Sequence, residues 1–238
     1  MNTLVLFDVD KTLIRIDTSE HRDAFHAAIL KVYGVHANMA DVPHDGMTDR
    51  QILIEVLRRK GLADAEIRRS MSECTRLMGE IFEANGTKNA RIALLHGVRE
   101  LLSALERHGV LVGLVTGNVD SIAAAKLRAV GIREHFKPGG FGNFDEVRAN
   151  LVRMAVSSAV NDFGFDRSGR VFVIGDTPRD IAAGRGAGAA TIGVATGNYS
   201  EAELKAAGAD FTLRDLSDTA AALSIILGQS HGVAPQKP

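Results

Sequence analysis

The chain has 238 residues, 45% of them hydrophobic and 24% charged, enough to bury a real core and ordinary for a globular protein. Its 28 Lys and Arg nearly cancel 29 Asp and Glu, so no overall field draws it to nucleic acid or to an anionic membrane surface. Aromatic residues make up only 5%, which leaves no interleaved stacking surface for bases, and a small-molecule partner is expected.

At the N-terminus, Met1-Asn2-Thr3-Leu4-Val5-Leu6-Phe7 lacks a basic segment and meets Asp8 after too few apolar residues for a signal peptide. No later apolar run approaches the length of a membrane span, so a cytoplasmic location is expected. Cys74 is the single cysteine, which rules out an intramolecular disulfide and suits a reducing compartment. It sits in a helical pattern and reads as a packing residue rather than a nucleophile.

Residues 4–7 form a short apolar run bounded by an acidic turn, the pattern of a buried strand. From 15 to 93 the pattern turns helical: Ile52, Leu53, Val56 and Leu57 recur at helical spacing, as do Ile67, Met71, Met78, Ile81 and Phe82. No strand is expected within that stretch. From Gly97 onward helices and strands alternate, with strands expected at 110–115, 171–174 and 190–194 and helices at 121–130 and 148–161. This rhythm predicts an α/β fold, a Rossmann-like parallel sheet with helices on both faces and a small α-helical subdomain inserted after the first strand. The expected division is an α/β core from 1–14 and 94–228, a helical cap from 15–93, and a frayed tail at 229–238.

In such sheets ligands collect at the carboxyl ends of the strands. The residues that follow three of the expected strands are Asp8-Val9-Asp10-Lys11-Thr12, Thr116-Gly117-Asn118 and Gly175-Asp176-Thr177-Pro178-Arg179-Asp180. Four carboxylates on one edge repel unless a cation sits among them, and hard oxygen ligands of this kind suit Mg²⁺. A single Asp after a strand is as readily a helix cap, and Pro178 at a first helical position fits Asp176 or Thr177 as one.

These motifs, in this order and strand context, resemble the haloacid dehalogenase superfamily, in its phosphoglycolate phosphatase-like group. Asp8-Val9-Asp10-Lys11-Thr12 is similar to its Asp-x-Asp-x-Thr motif, Thr116 to its second motif, and Gly175-Asp176 with Asp180 to its fourth. The resemblance implies a Mg²⁺-dependent phosphatase in which Asp8 attacks a small phosphate monoester and forms an aspartyl-phosphate. Asp10 would serve as general acid and base, a task that suits a carboxyl whose pKa is lifted by neighbouring charge.

By the same resemblance Asp8, Asp10 through its main-chain carbonyl and Asp176 would hold the metal, and Asp180 would bind it directly or hold those ligands in place. Thr116, with the backbone N–H groups of Gly117 and Asn118, would cradle the phosphoryl oxygens. The family also needs a cation beside the phosphoryl group. Arg148 is favoured over Lys137 by its distance from the strand end and by the bidentate fit of guanidinium to phosphate.

Gly46-Met47-Thr48-Asp49 resembles a segment that lies on the inner face of the cap in this family, so Thr48 or Asp49 is expected to touch substrate or to cap the next helix. His21, His26, His36, His44, His96 and His108 show no metal-like spacing and are expected on the solvated surface, and Thr196-Gly197-Asn198 as a plain loop. A phosphomutase and a catalytically idle ligand-binding protein stand as alternatives; the idle protein is disfavoured by the retention of Asp8 and Asp10. No oligomeric state follows from the sequence.

Overall fold

The computed structural model of the chain describes residues 2–16, 19–89 and 91–228. The tail expected at 229–238 lies outside them. Among the described residues, six strands form one sheet in which every pairing is parallel. They are β1 (Thr3–Phe7), β4 (Leu111–Thr116), β5 (Gly139–Phe141), β6 (Arg170–Gly175), β7 (Ala190–Val194) and β8 (Phe211–Leu213). Their order across the sheet is β5-β4-β1-β6-β7-β8. Between β1 and β4 the chain also forms a two-stranded antiparallel ribbon, β2 (Ile14–Ile16) with β3 (Ile92–Leu94).

All five residues of β1 are buried, as a strand covered on both faces requires. Alternation sorts its side chains. Val5 and Phe7 pack toward α5 (Val98–Arg107) and α10 (Thr219–Leu227), in a cluster with Leu101, Leu105 and Ile226. Leu4 and Leu6 face the other way, against Leu151, Val152 and Ala155 of α7 (Arg148–Phe163). Burying a side chain such as Phe7 contributes about 1.5–3 kcal/mol. The core thus lies in two layers on either side of the sheet.

After β2 come α1 (Glu20–Tyr33), α2 (Asp49–Arg59), α3 (Asp64–Arg69) and α4 (Met71–Asn89) before the chain returns on β3. These helices bury their own cluster, with Phe25, Leu53, Leu57, Ile67, Met78 and Phe82 at its centre. That cluster closes onto Val119, Ile122 and Ala125, the last two carried by α6 (Asp120–Ala129), so the helical layer rests on the helix that follows β4. Cys74 is fully buried there, and burial pushes its thiol up to about 12, the environment of a packing residue. Among the described residues, the expectation of no strand in 15–93 fails only at its two edges, where β2 and β3 pair over three residues each.

The topology fixes where a ligand can collect. From β1 the chain runs to β4 and β5 on one side, then crosses to β6, β7 and β8 on the other. β1 is therefore the switch point, with a crevice beyond its carboxyl end. Register brings the strand ends level there: Phe7 sits opposite Leu114 on one side and Ile174 on the other. Among the described residues no helix is long and apolar enough to cross a membrane.

Candidate active site

Asp8 follows β1, and its N–H donates to Ile174 O at 2.9 Å, which ties the turn to the end of β6. Asp176 follows β6 directly. Asp180 lies in the first turn of α8 (Pro178–Gly186), where Thr177 is the N-cap and Pro178 the first helical residue. Thr177 and Asp180 form a reciprocal cap: Asp180 Oδ2 accepts from Thr177 N at 3.0 Å and from Thr177 Oγ1 at 2.6 Å. The cap leaves Asp180 Oδ1 pointed into the site.

One carboxylate oxygen each from Asp8, Asp176 and Asp180 lies within 4.8 Å of the others, and all three residues are buried. Asp176 Oδ1 accepts from Thr12 Oγ1 at 3.2 Å, but its buried Oδ2 has no hydrogen-bond partner. Burial pushes Asp8 up to about 7, with Asp180 and Asp10 adding to the rise and Arg148 opposing it. Asp176 is pushed up to about 8 by burial, then by Asp8 and Asp180. Three crowded acids with an orphaned oxygen among them fit a hard divalent cation.

Arg148 is the first residue of α7, and its guanidinium reaches this cluster. Its Nη2 lies 2.7 Å from Asp8 Oδ1 and 2.5 Å from Asp180 Oδ1, while Nη1 donates to Gly46 O at 3.0 Å. Lys137 is exposed and does not line the site. Thr116 ends β4 fully buried, and its Oγ1 accepts from Asn118 N at 3.3 Å and Asn118 Nδ2 at 2.8 Å.

Asp10 departs from expectation in its pKa. Its side chain does not join the three-carboxylate cluster but turns to Lys126 of α6, whose Nζ lies 2.9 Å from Oδ1 and 2.7 Å from Oδ2. Asn118 Nδ2 donates to Asp10 Oδ2 at 2.8 Å. Burial acts to raise the pKa of Asp10, but Lys126, His21 and these hydrogen bonds outweigh it and hold the carboxyl below its ordinary range. The anticipated upward shift is thus reversed by a cation the sequence reading did not assign.

Lys126 is fully buried. A lone Lys in a helix reads as solvated, yet it follows Ile122 by four residues and Ala123 by three, both core positions, and that spacing was the available signal.

The helical layer closes the crevice from above, leaving a cavity of about 290 Å³. Gly117 lines it, and the contact is so close that a Cβ on Gly117 would fall 2.2 Å from Met47 O. Thr48 is the N-cap of α2: its Oγ1 accepts from Gln51 N at 3.1 Å and Gln51 Oε1 accepts from Thr48 N at 3.4 Å. Thr48→Ala is expected to lower stability by about 1 kcal/mol, a fall in Tm of roughly 2–4 °C for a chain of this size, read by thermal denaturation.

Asp49 has a different task. Its N–H donates to Gly117 O at 2.7 Å and its Oδ2 accepts from Val119 N at 2.8 Å, so it fastens α2 to the strand end that carries Thr116. The same Oδ2 lies 3.1 Å from His21 Nε2, and His21 lines the cavity with His44. The surface assignment of these two histidines is therefore corrected, because α1 and the loop before α2 fold inward over the strand ends. The loop at 196–198 also abuts the site: a Cβ on Gly197 would fall 1.9 Å from Asp176 Oδ2, and Asn198 Nδ2 donates to Asp45 Oδ2 at 2.9 Å.

With this geometry in place, comparisons with known proteins fall into line. Solved structures share the fold over nearly the whole chain. A predicted phosphatase from Clostridium acetobutylicum is 18% identical, with 94% of this chain and 99% of that one covered and a TM-score of 0.68. A predicted phosphoglycolate phosphatase from Haemophilus somnus is 19% identical over 93% and 97% of the two chains, at 0.63. CbbY from Rhodobacter sphaeroides, solved in complex with phosphate, is 23% identical over 92% and 96%, at 0.65. Among curated proteins, none matches the sequence. A model of the haloacid dehalogenase-like hydrolases matches residues 3–188, which hold all three strand-end motifs and the helices that close over them. The chain belongs to the haloacid dehalogenase-like hydrolase family.

Proposed function

We propose that the protein is a Mg²⁺-dependent phosphatase of small phosphate monoesters, acting through an aspartyl-phosphate on Asp8. The observation that carries this is the buried cluster of Asp8, Asp176 and Asp180 around the Arg148 guanidinium at the switch point of a parallel sheet. Residues 1–14 and 94–228 serve as the catalytic core and 15–93 as a cap that selects the ester. A reducing, cytoplasmic setting suits the single buried Cys74.

Asp8, Asp176 and Asp180 would hold the metal, with the Asp10 main-chain carbonyl as a further ligand. When bound, Mg²⁺ supplies positive charge that lets a phosphate dianion approach carboxylates. Asp8 attacks phosphorus, the bond to the leaving oxygen breaks, and the phosphoryl group passes to Asp8. Arg148 clamps the transferring oxygens, while Thr116 and the N–H groups of Gly117 and Asn118 hold the others. Asp10, kept as a carboxylate by Lys126, takes a proton from the water that splits the aspartyl-phosphate. In the first half Asp10 relays a proton from solvent to the leaving oxygen. Arg22 and His44 on the cavity wall face what remains of the substrate, Asp49 shapes the wall, and Thr48 acts behind it as the cap of α2.

Release of inorganic phosphate from a panel of small phosphate esters, with Mg²⁺ and with a chelator, tests this. Release that needs the metal is expected; no release from any ester, or release untouched by the chelator, excludes it.

Cap closure also depends on Glu146, which pairs with Arg50 at 3.3 Å and with Arg68 at 3.2 Å, two residues before Arg148. Glu146→Gln is expected to raise KM about two- to fivefold with kcat unchanged, as loss of exposed pairs predicts. The difference should vanish near 1 M salt, where the screening length is about 3 Å, and steady-state kinetics at two salt concentrations would check it.

A further inference from the structure

We propose that Lys126 is the positioning residue that aims Asp10 at the hydrolytic water, and so governs breakdown of the phosphoenzyme rather than its formation. This rests on the aspartyl-phosphate reading above. The inference starts from a lysine with no other evident reason to be buried. Its side chain is 1% exposed, and an ammonium taken out of water is costly unless each proton finds an acceptor.

The acceptors present are few and all belong to or face the site. Nζ meets both oxygens of Asp10 at 2.9 and 2.7 Å, and Asn118 Oδ1 at 2.7 Å. His21 Nδ1 lies 3.3 Å away. Asn118 is itself pinned, since its Nδ2 donates to both Asp10 Oδ2 and Thr116 Oγ1 at 2.8 Å. A carboxylate held on both oxygens by an ammonium, and on one of them again by an amide, cannot turn about its own bond. Asp10 follows a two-residue turn after β1 and is tied by a single bridge to Ile14, so the backbone alone leaves its side chain free to rotate. Lys126, carried on a helix anchored by Ile122, Ala123 and Leu127, supplies the missing constraint.

The two halves of the reaction make different demands on Asp10. In the second, water attacks phosphorus, the bond from phosphorus to the Asp8 oxygen breaks with its electron pair returning to Asp8, and the water proton passes to Asp10. That transfer needs the carboxylate within hydrogen-bond reach of one water, held in place. In the first half, an ester whose leaving oxygen is already a stable anion makes little demand on Asp10. With p-nitrophenyl phosphate, loss of Lys126 should therefore slow the second half selectively.

The test uses acid-quench trapping of phosphoenzyme, together with kcat and KM, on wild type, Lys126→Met, Lys126→Gln and Asp10→Asn. Expected for Lys126→Met is a fall in kcat of about 10²-fold, a KM that falls with it so that kcat/KM stays within about threefold of wild type, and a steady-state phosphoenzyme fraction raised toward that of Asp10→Asn. Lys126→Gln, which keeps a donor without the charge, should fall between; it also carries the test if the Met variant fails to fold. Accumulation in Asp10→Asn without accumulation in either Lys126 variant overturns the role of Lys126 alone. Absence of trapped phosphoenzyme in every variant, Asp10→Asn included, overturns the aspartyl-phosphate reading and this role with it.

Discussion

Asp8→Asn is expected to lower phosphate release by at least about 10³-fold while leaving the protein folded. The substitution keeps the size and planarity of the side chain and removes only the oxygen that attacks phosphorus. Arg148 keeps its second partner, since its Nη2 also lies 2.5 Å from Asp180 Oδ1. No buried cation is therefore left alone, and thermal denaturation of the variant should show no loss of stability. The contrast with Asp10→Asn is informative: that variant should still transfer the phosphoryl group to Asp8 and stall afterwards. Undiminished turnover in Asp8→Asn, measured against the same ester as wild type, would mean that the nucleophile lies elsewhere.

The second large effect concerns pH and the metal together. Asp8 and Asp176 sit at about 7 and about 8 in the folded protein, against an ordinary value of 3.8. Folded values above unfolded ones mean that the native state binds more protons between those limits. The slope of stability with pH is then negative. The contribution of this pair is fully present below about pH 4 and is lost as pH rises through 7 to 8.

A divalent cation supplies the counter-charge that the protons otherwise provide, so Mg²⁺ and protons compete for the same oxygens. At a hundred times its Kd a ligand adds about 2.7 kcal/mol, which for a chain of this size is roughly 5–10 °C in Tm. That gain is expected at pH 8 and should nearly vanish at pH 5, with Asp176→Asn losing it at both. Scanning calorimetry at the two pH values, with and without Mg²⁺, would check the sign. An equal shift at both, or none at pH 8, would remove the metal from this cluster.

Much of this arrangement was legible from residue order, and the parts that were not share a cause. β1, β4, β6 and β7 could be read because each is five or six residues long and almost wholly buried, so apolar runs mark them. β5 and β8 escaped because they have three residues each, and β5 carries two glycines where a strand would carry β-branched residues. Asp8, Asp176, Asp180 and Arg148 were readable from position, since a strand end or a helix start fixes where a side chain begins. What a side chain meets is set by tertiary packing, and there the sequence was silent. Asp10 was assigned a raised pKa because three acids stand near it in the motifs, but Lys126 lies 116 residues away and arrives by folding. The same holds for His21 and Asp49, which meet only because α1 and α2 share one roof.

The ribbon of β2 and β3 bears on how such a molecule can change over time. Ile14 pairs with Leu94 and Ile16 with Ile92, so the chain leaves the sheet layer and returns to it through neighbouring strands about 5 Å apart. To the sheet, the intervening helices amount to one long hairpin loop whose ends already touch. Replacing that loop with another of different length alters closure entropy only slowly, and it disturbs no strand of the six-stranded sheet. The helices between Ile16 and Ile92 can thus be exchanged while the six strands keep their register, so the sheet and the helical layer are free to change separately.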